Sequence, residues 1–91
     1  MNMGFKTPGE LGLMIAMNVR ARRRSRKLSV KRLSEMSGVS YGSIRRFESR
    51  GEIALISLLK IAIVMDCSEA FEQLFAGVEP KSIQEIIDGK L

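Results

Sequence analysis

One stretch constrains the chain more than any other: residues 28–51, LSVKRLSEMSGVSYGSIRRFESRG. It predicts two short helices around a tight turn. The first runs over 30–37, with Ser29 able to cap its N-terminus. Gly38 follows, where a left-handed residue ends a helix without a Cβ penalty. Ser40 then caps a second helix over 41–49, which carries Ile44 and Phe47 as an inward pair at i and i+3. At about 100° per residue, Glu48 falls on the inward flank, and Gly42, Arg45, Arg46 and Ser49 fall outward. A helix that is apolar and acidic inside, basic and small outside, suits the major groove of DNA.

Charge is segregated along the chain. Residues 1–50 carry 12 basic and 3 acidic side chains, net +9, and residues 51–91 carry 3 and 7, net −4. The front half is therefore the expected nucleic-acid face, and the overall +5 conceals it. The 91 residues make one domain, expected as a single unit over 1–91 with a loose tail at 1–6 and an extension at 76–91. A core of that size gives marginal stability unless the chain dimerises or packs unusually well. With no histidine, His-based metal sites and triads are excluded. With one cysteine, Cys67, an intramolecular disulfide is excluded, and its apolar surroundings predict a buried small residue. No phosphate-cradling glycine loop or metal spacing is present, so no enzyme activity and no cofactor are expected. The longest apolar run, 53–65, is interrupted by Ser57 and Lys60 and is too short to span a bilayer. No signal peptide is visible, so a cytoplasmic protein with no membrane partner is the expectation.

The flanking elements read as helices too. Thr7, Pro8 and Glu10 are three agreeing start signals for a helix over 8–24. Leu11, Ile15 and Val19, with Met14 and Asn18 beside them, form its expected inner stripe, which Arg23 continues. A fourth helix, starting near Ala54 and running to Met65, uses Leu55, Leu58, Leu59, Ala62 and Met65 inward. Ile56, Ile61, Ile63 and Val64 make it apolar nearly all round, either central to the core or facing a partner on one side. Asp66 is expected to cap a fifth helix to about residue 75, with Ala70, Phe71, Leu74 and Phe75 in the core. A last short helix over 80–88 aligns Ile83, Ile86 and Ile87 on one face, to close the core or to meet a second protein.

Leu28-Ser29, Leu33, Gly38-Val39-Ser40, Ile44, Glu48, Gly51 and the run LLKIA at 58–62 resemble, at fixed offsets, the Cro/phage-repressor (XRE-type) helix-turn-helix family. The resemblance covers roughly residues 15–75. It implies an all-α, lambda-repressor-like DNA-binding domain: a compact bundle of five to six helices with a central helix-turn-helix. Three departures stand out. Val30 occupies the place of a glutamine that bonds a phosphate in the family, Ser37 replaces a small or branched apolar residue, and the loop after Glu48 is one residue shorter and lacks a proline. The segment FESRGEIALISLLKIA resembles a subset of the family, the HipB-like antitoxins paired with HipA-type kinase toxins.

The family resemblance also assigns roles. Tyr41, Gly42 and Arg46 take the base-reading positions, with Arg45 a neighbour that reads a base or a phosphate. Arginine suits this role because it bonds guanine O6 and N7 bidentately. Tyr41 can meet a thymine methyl or a phosphate, or can simply pack. A glycine at 42 weakens its helix by about 1 kcal/mol relative to alanine, and close approach of the backbone to DNA is a reason to keep it. Ser29 and Lys31 at the start of the first motif helix, Ser40 and Ser43 at the start of the second, and Arg50 just past it are candidate phosphate contacts. Arg20, Arg22, Arg24, Arg26, Lys27 and Arg32 divide between phosphates and solvent in a way the sequence leaves open. Arg23 is implied to pair with Glu48, which makes physical sense because an inward glutamate without a partner is costly. Together these readings point to a sequence-specific transcriptional regulator of double-stranded DNA, a homodimeric repressor. The alternative is an antitoxin that binds a HipA-type kinase toxin and represses their shared promoter.

Overall fold

The computed structural model describes residues 6–77 and Gly89. The described residues form five helices and no strand: α1 (Pro8–Ser25), α2 (Val30–Ser37), α3 (Tyr41–Arg50), α4 (Leu55–Val64) and α5 (Glu69–Glu72). The helix expected over 80–88, with its three isoleucines, lies outside the described residues, as does most of the tail at 1–6.

Local chemistry sets most of the boundaries. Thr7 and Glu10 form a reciprocal capping box: Thr7 Oγ1 accepts from the Glu10 N–H at 3.1 Å, and the Thr7 N–H donates to Glu10 Oε1 at 2.8 Å. Ser29 Oγ accepts from the Arg32 N–H at 2.9 Å and starts α2. Gly38, at φ +78°, ends it while its N–H reaches the Ser34 carbonyl. Ser34 Oγ donates to the Val39 carbonyl at 2.6 Å, and Ser37 Oγ accepts from the Val39 N–H at 3.1 Å. These bonds satisfy the backbone of the turn between α2 and α3 and hold the two helices at a set angle.

The core gathers Val30, Leu33, Val39, Ile44, Ile61 and Met65, flanked by the part-buried Val19, Ile53, Val64 and Cys67. Ala16, Phe47 and Ala62 are also buried. α1 packs on α3, and α2 packs on both α3 and α4. Val30, standing where the resemblance has a polar residue, is a core residue in this chain. Cys67 is half-buried against the core rather than fully enclosed.

α1 has the expected extent within a residue but a different inner face. Leu11 and Met14 are exposed, as is Asn18, while Ala16 and Arg23 are buried and Gly12, Ile15 and Val19 are half-buried. The reason is a backbone contact. A Cβ on Gly12 would lie 2.5 Å from the Gly51 carbonyl oxygen, and one on Gly51 would lie 2.6 Å from the Gly12 carbonyl carbon. Two glycines let α1 touch the chain at the end of α3, and the smallest side of the helix turns inward instead of the most apolar one.

The second half departs further from expectation. α4 buries Ile61 and Ala62, with Met65 just after it, but leaves Leu55, Ile56 and Ile63 exposed, so Leu55 is not part of the inner stripe. Asp66 does not cap α5. It sits left-handed at φ +55° and terminates α4, with the Cys67 N–H reaching back to the Ala62 carbonyl at 2.9 Å. Deprived of that cap, α5 is one turn, preceded by Ser68 with no side-chain cap bond. Phe71 is half-buried, but Ala70, Leu74 and Phe75 are exposed, Phe75 to 94%, so these three are not core residues.

Candidate nucleic-acid interface

Burial of Ile44 and Phe47 fixes the roll of α3 and decides what the helix shows to solvent. Tyr41, Gly42, Arg45, Arg46, Ser49 and Arg50 are all exposed. Arg45, Arg46, Ser49 and Arg50 line one open groove along the helix. Arg45 leans back on Tyr41, its guanidinium carbon 5.9 Å from the ring centroid. Such an exposed cation–π contact contributes about 0.5–1 kcal/mol. It draws the two side chains into one unit. Among the described residues, nothing beyond its chain neighbours and its own helix backbone lies within 4 Å of a Cβ built on Gly42, so internal packing places no demand for glycine there.

The first turn of α3 is a hydroxyl chain. Ser40 Oγ accepts from the Ser43 N–H at 3.1 Å, and its hydroxyl is 2.8 Å from Ser43 Oγ. Ser29 is committed as the cap of α2 through its acceptor oxygen, and Lys31 is exposed two residues on, in the first turn of the same helix.

Beneath this face lies the most enclosed charged pair among the described residues. Glu48 accepts two bonds from Arg23, Nε to Oε2 at 2.8 Å and Nη2 to Oε1 at 2.9 Å. Arg23 Nη1 donates to the Leu28 carbonyl at 2.7 Å. The side chains are 9% and 8% exposed. Every guanidinium nitrogen is engaged, and α1, the α1–α2 connection and α3 are tied together at one point. The bond to Glu48 raises the Arg23 pKa above its ordinary value against the opposing effect of burial. The group is therefore charged throughout the neutral range, and the stability that its raised pKa represents is lost as pH rises through that elevated value. Among the described residues no buried side-chain nitrogen or oxygen lacks a partner.

Two features were not legible from spacing. Arg20 and Arg24, left unassigned between phosphate and solvent, line a shallow cleft with Arg45 and Ser49 above the buried pair. Arg20 Nε also stands 4.0 Å from Glu48 Oε1. At the other end of α3, Arg46 Nη2 donates to Glu52 Oε1 at 3.2 Å. The helical period could have pointed to Arg20 and Arg24, which stand at i and i+4 on one face of α1. No sequence signal marks Glu52, which lies beyond the glycine that ends the helix.

Among the described residues, no group of metal-ligating side chains comes together, and no helix is long and apolar enough to cross a membrane. Residues 19–71 match a family model described as helix-turn-helix. No curated protein matches the chain. The match spans the whole of α2, α3 and α4 and begins midway along α1, so the Gly12 contact lies ahead of it.

Proposed function

We infer the function from the family to which the chain belongs, the Cro/phage-repressor (XRE-type) helix-turn-helix family of DNA-binding regulators, and propose that it is a homodimeric repressor acting in the cytoplasm. The observation that carries the reading is the outer face of α3. Tyr41, Gly42, Arg45 and Arg46 share it, none of them is needed by the core, and the helix beneath is held by Ile44, Phe47 and the Glu48 pair. In this reading Arg46 bonds a guanine, Arg45 and Tyr41 act together on the neighbouring base or phosphate, and Gly42 lets the backbone come close. Arg50 and Lys31 meet phosphates. Ser29 keeps its hydroxyl proton after capping, and Ser43 keeps its own when Ser40 donates to it, so each has a donor to offer a phosphate.

One recognition helix reads few base pairs. A two-fold pair of them reads half-sites about one helical turn apart. The exposed Leu55, Ile56 and Ile63 of α4, with Leu74 and Phe75, offer apolar surface for a second subunit. The same surface supports a second reading, an antitoxin whose partner is a kinase-like toxin, in line with the segment over 47–62.

Selection from a random duplex pool at near-physiological salt, with the purified protein alone, tests the proposal. Enrichment of a palindrome with half-sites about one turn apart is the expected result. DNA retained without an enriched sequence would leave only the electrostatic part of binding and would overturn the autonomous repressor in favour of a partner-dependent protein.

A further inference from the structure

Glu52 is an acidic side chain on the rim of a face whose other charged side chains are Arg45, Arg46 and Arg50. It lies in the short connection between α3 and α4, directly after Gly51. Its backbone is anchored by the residue before it. Gly51 is left-handed at φ +75°, its N–H bonds the Phe47 carbonyl at 2.7 Å, and its own backbone abuts Gly12. From that anchored point Glu52 reaches back to Arg46, across a cleft also lined by Ser43, Ala54 and Ser57.

The bond is single, and that matters for what Arg46 can still do. Nη2 carries two protons, and each belongs to a different two-donor edge of the guanidinium. Glu52 takes one of them. Whichever edge it occupies, the other edge sharing Nη2 keeps both donors, and a guanine needs only one edge. The carboxylate also competes with backbone phosphates for the same guanidinium, and its negative charge opposes DNA of any sequence. A phosphate-seeking arginine is thus restrained, and a base-reading edge is left open.

Resting on the assignment of Arg46 as a base reader, we propose that Glu52 is the positioning residue that makes this chain selective: its carboxylate holds Arg46 across the reading face and off the backbone phosphates. Glu52 therefore lowers affinity for arbitrary DNA and raises discrimination at the base opposite Arg46. Its removal strengthens non-specific binding while weakening selectivity, a combination that lost folding would not produce.

The test uses the full chain and its selected operator. Anisotropy titrations at several salt concentrations compare the parent, Glu52→Gln, Glu52→Asp, Arg46→Ala and the Arg46→Ala/Glu52→Gln double variant, each against the operator, every single-base change in one half-site, and a random duplex. Glu52→Gln is expected to bind random duplex more tightly, with a salt slope steeper by about one. It should lose about two- to fivefold of the discrimination at the position that Arg46→Ala also affects, and Glu52→Asp should restore part of it. In the Arg46→Ala background, Glu52→Gln should change no base preference. If Arg46→Ala abolishes a base preference while Glu52→Gln leaves both discrimination and salt slope at parent values, the role of Glu52 is overturned and the base reader stands. If a Glu52→Gln effect on base preference persists without Arg46, Glu52 reads a base itself and the positioning role is overturned. If Arg46→Ala keeps every parent preference, the base-reading assignment fails first.

Discussion

Among the described residues, two hydrogen-bonded arginine–glutamate pairs meet on α3, and they share little beyond composition. Arg23 and Glu48 join through two bonds at 2.8 and 2.9 Å, with side chains 9% and 8% exposed and the third arginine nitrogen on a backbone carbonyl. Arg46 and Glu52 join through one bond at 3.2 Å, with side chains 61% and 64% exposed. In the first pair every guanidinium nitrogen makes a bond within the protein and burial closes off the two remaining protons, so the pair acts as a clamp between α1 and α3. In the second, most donors stay available, and solvent screening makes the bond weak enough to be rearranged. Burial and the bonds already made separate an arginine held by the protein from one with donors free in solvent. Charge alone does not.

Substitutions can break or sharpen this contrast. Glu48→Ala should have the largest effect, because it strands a buried Arg23. The expected loss is about 3–5 kcal/mol of stability, read by urea unfolding. A midpoint equal to the parent's would remove the clamp from the account. Arg46→Ala should leave that midpoint in place and instead lose about 1–3 kcal/mol of discrimination at one base position in each half-site, measured by competition with single-base variants of the operator. Parent-like preferences would show that the exposed arginine reads nothing. Arg50→Ala, at the end of the same face, should weaken binding to all sequences alike and reduce the salt slope by about one; a sequence-dependent loss would move it among the base readers. The smallest effect should be that of Glu52→Gln on stability, within about 0.5 kcal/mol. A loss approaching that of Glu48→Ala would make the exposed pair a second clamp.

The helix-turn-helix was legible because its signals are local. Ser29, Gly38 and Ser40 act on backbone groups three or four residues away, and Ile44 and Phe47 declare their face through the helical period. The outward placement of Arg45 and Arg46 follows from the same period. The face of α1 was harder to read. Scoring apolar side chains favours Leu11 and Met14, whereas close packing chose Gly12 and Ala16. α5 was misread for a related reason: Asp66 is an acceptable helix cap and also an acceptable left-handed terminator, and the end of α4 claimed it.

The amino-acid sequence by itself determined the four main helices, the turn between α2 and α3, and the basic outer face of α3, since all of these depend on neighbours within a turn or two of chain. The tertiary structure alone decided which side of α1 faces inward, that Leu55, Ile56 and Ile63 are exposed, and that Glu52 comes to rest on Arg46. Those outcomes depend on how closely backbones distant in sequence approach one another and on where a left-handed glycine sends the chain next. Neither is written in the period or the charge of any one segment.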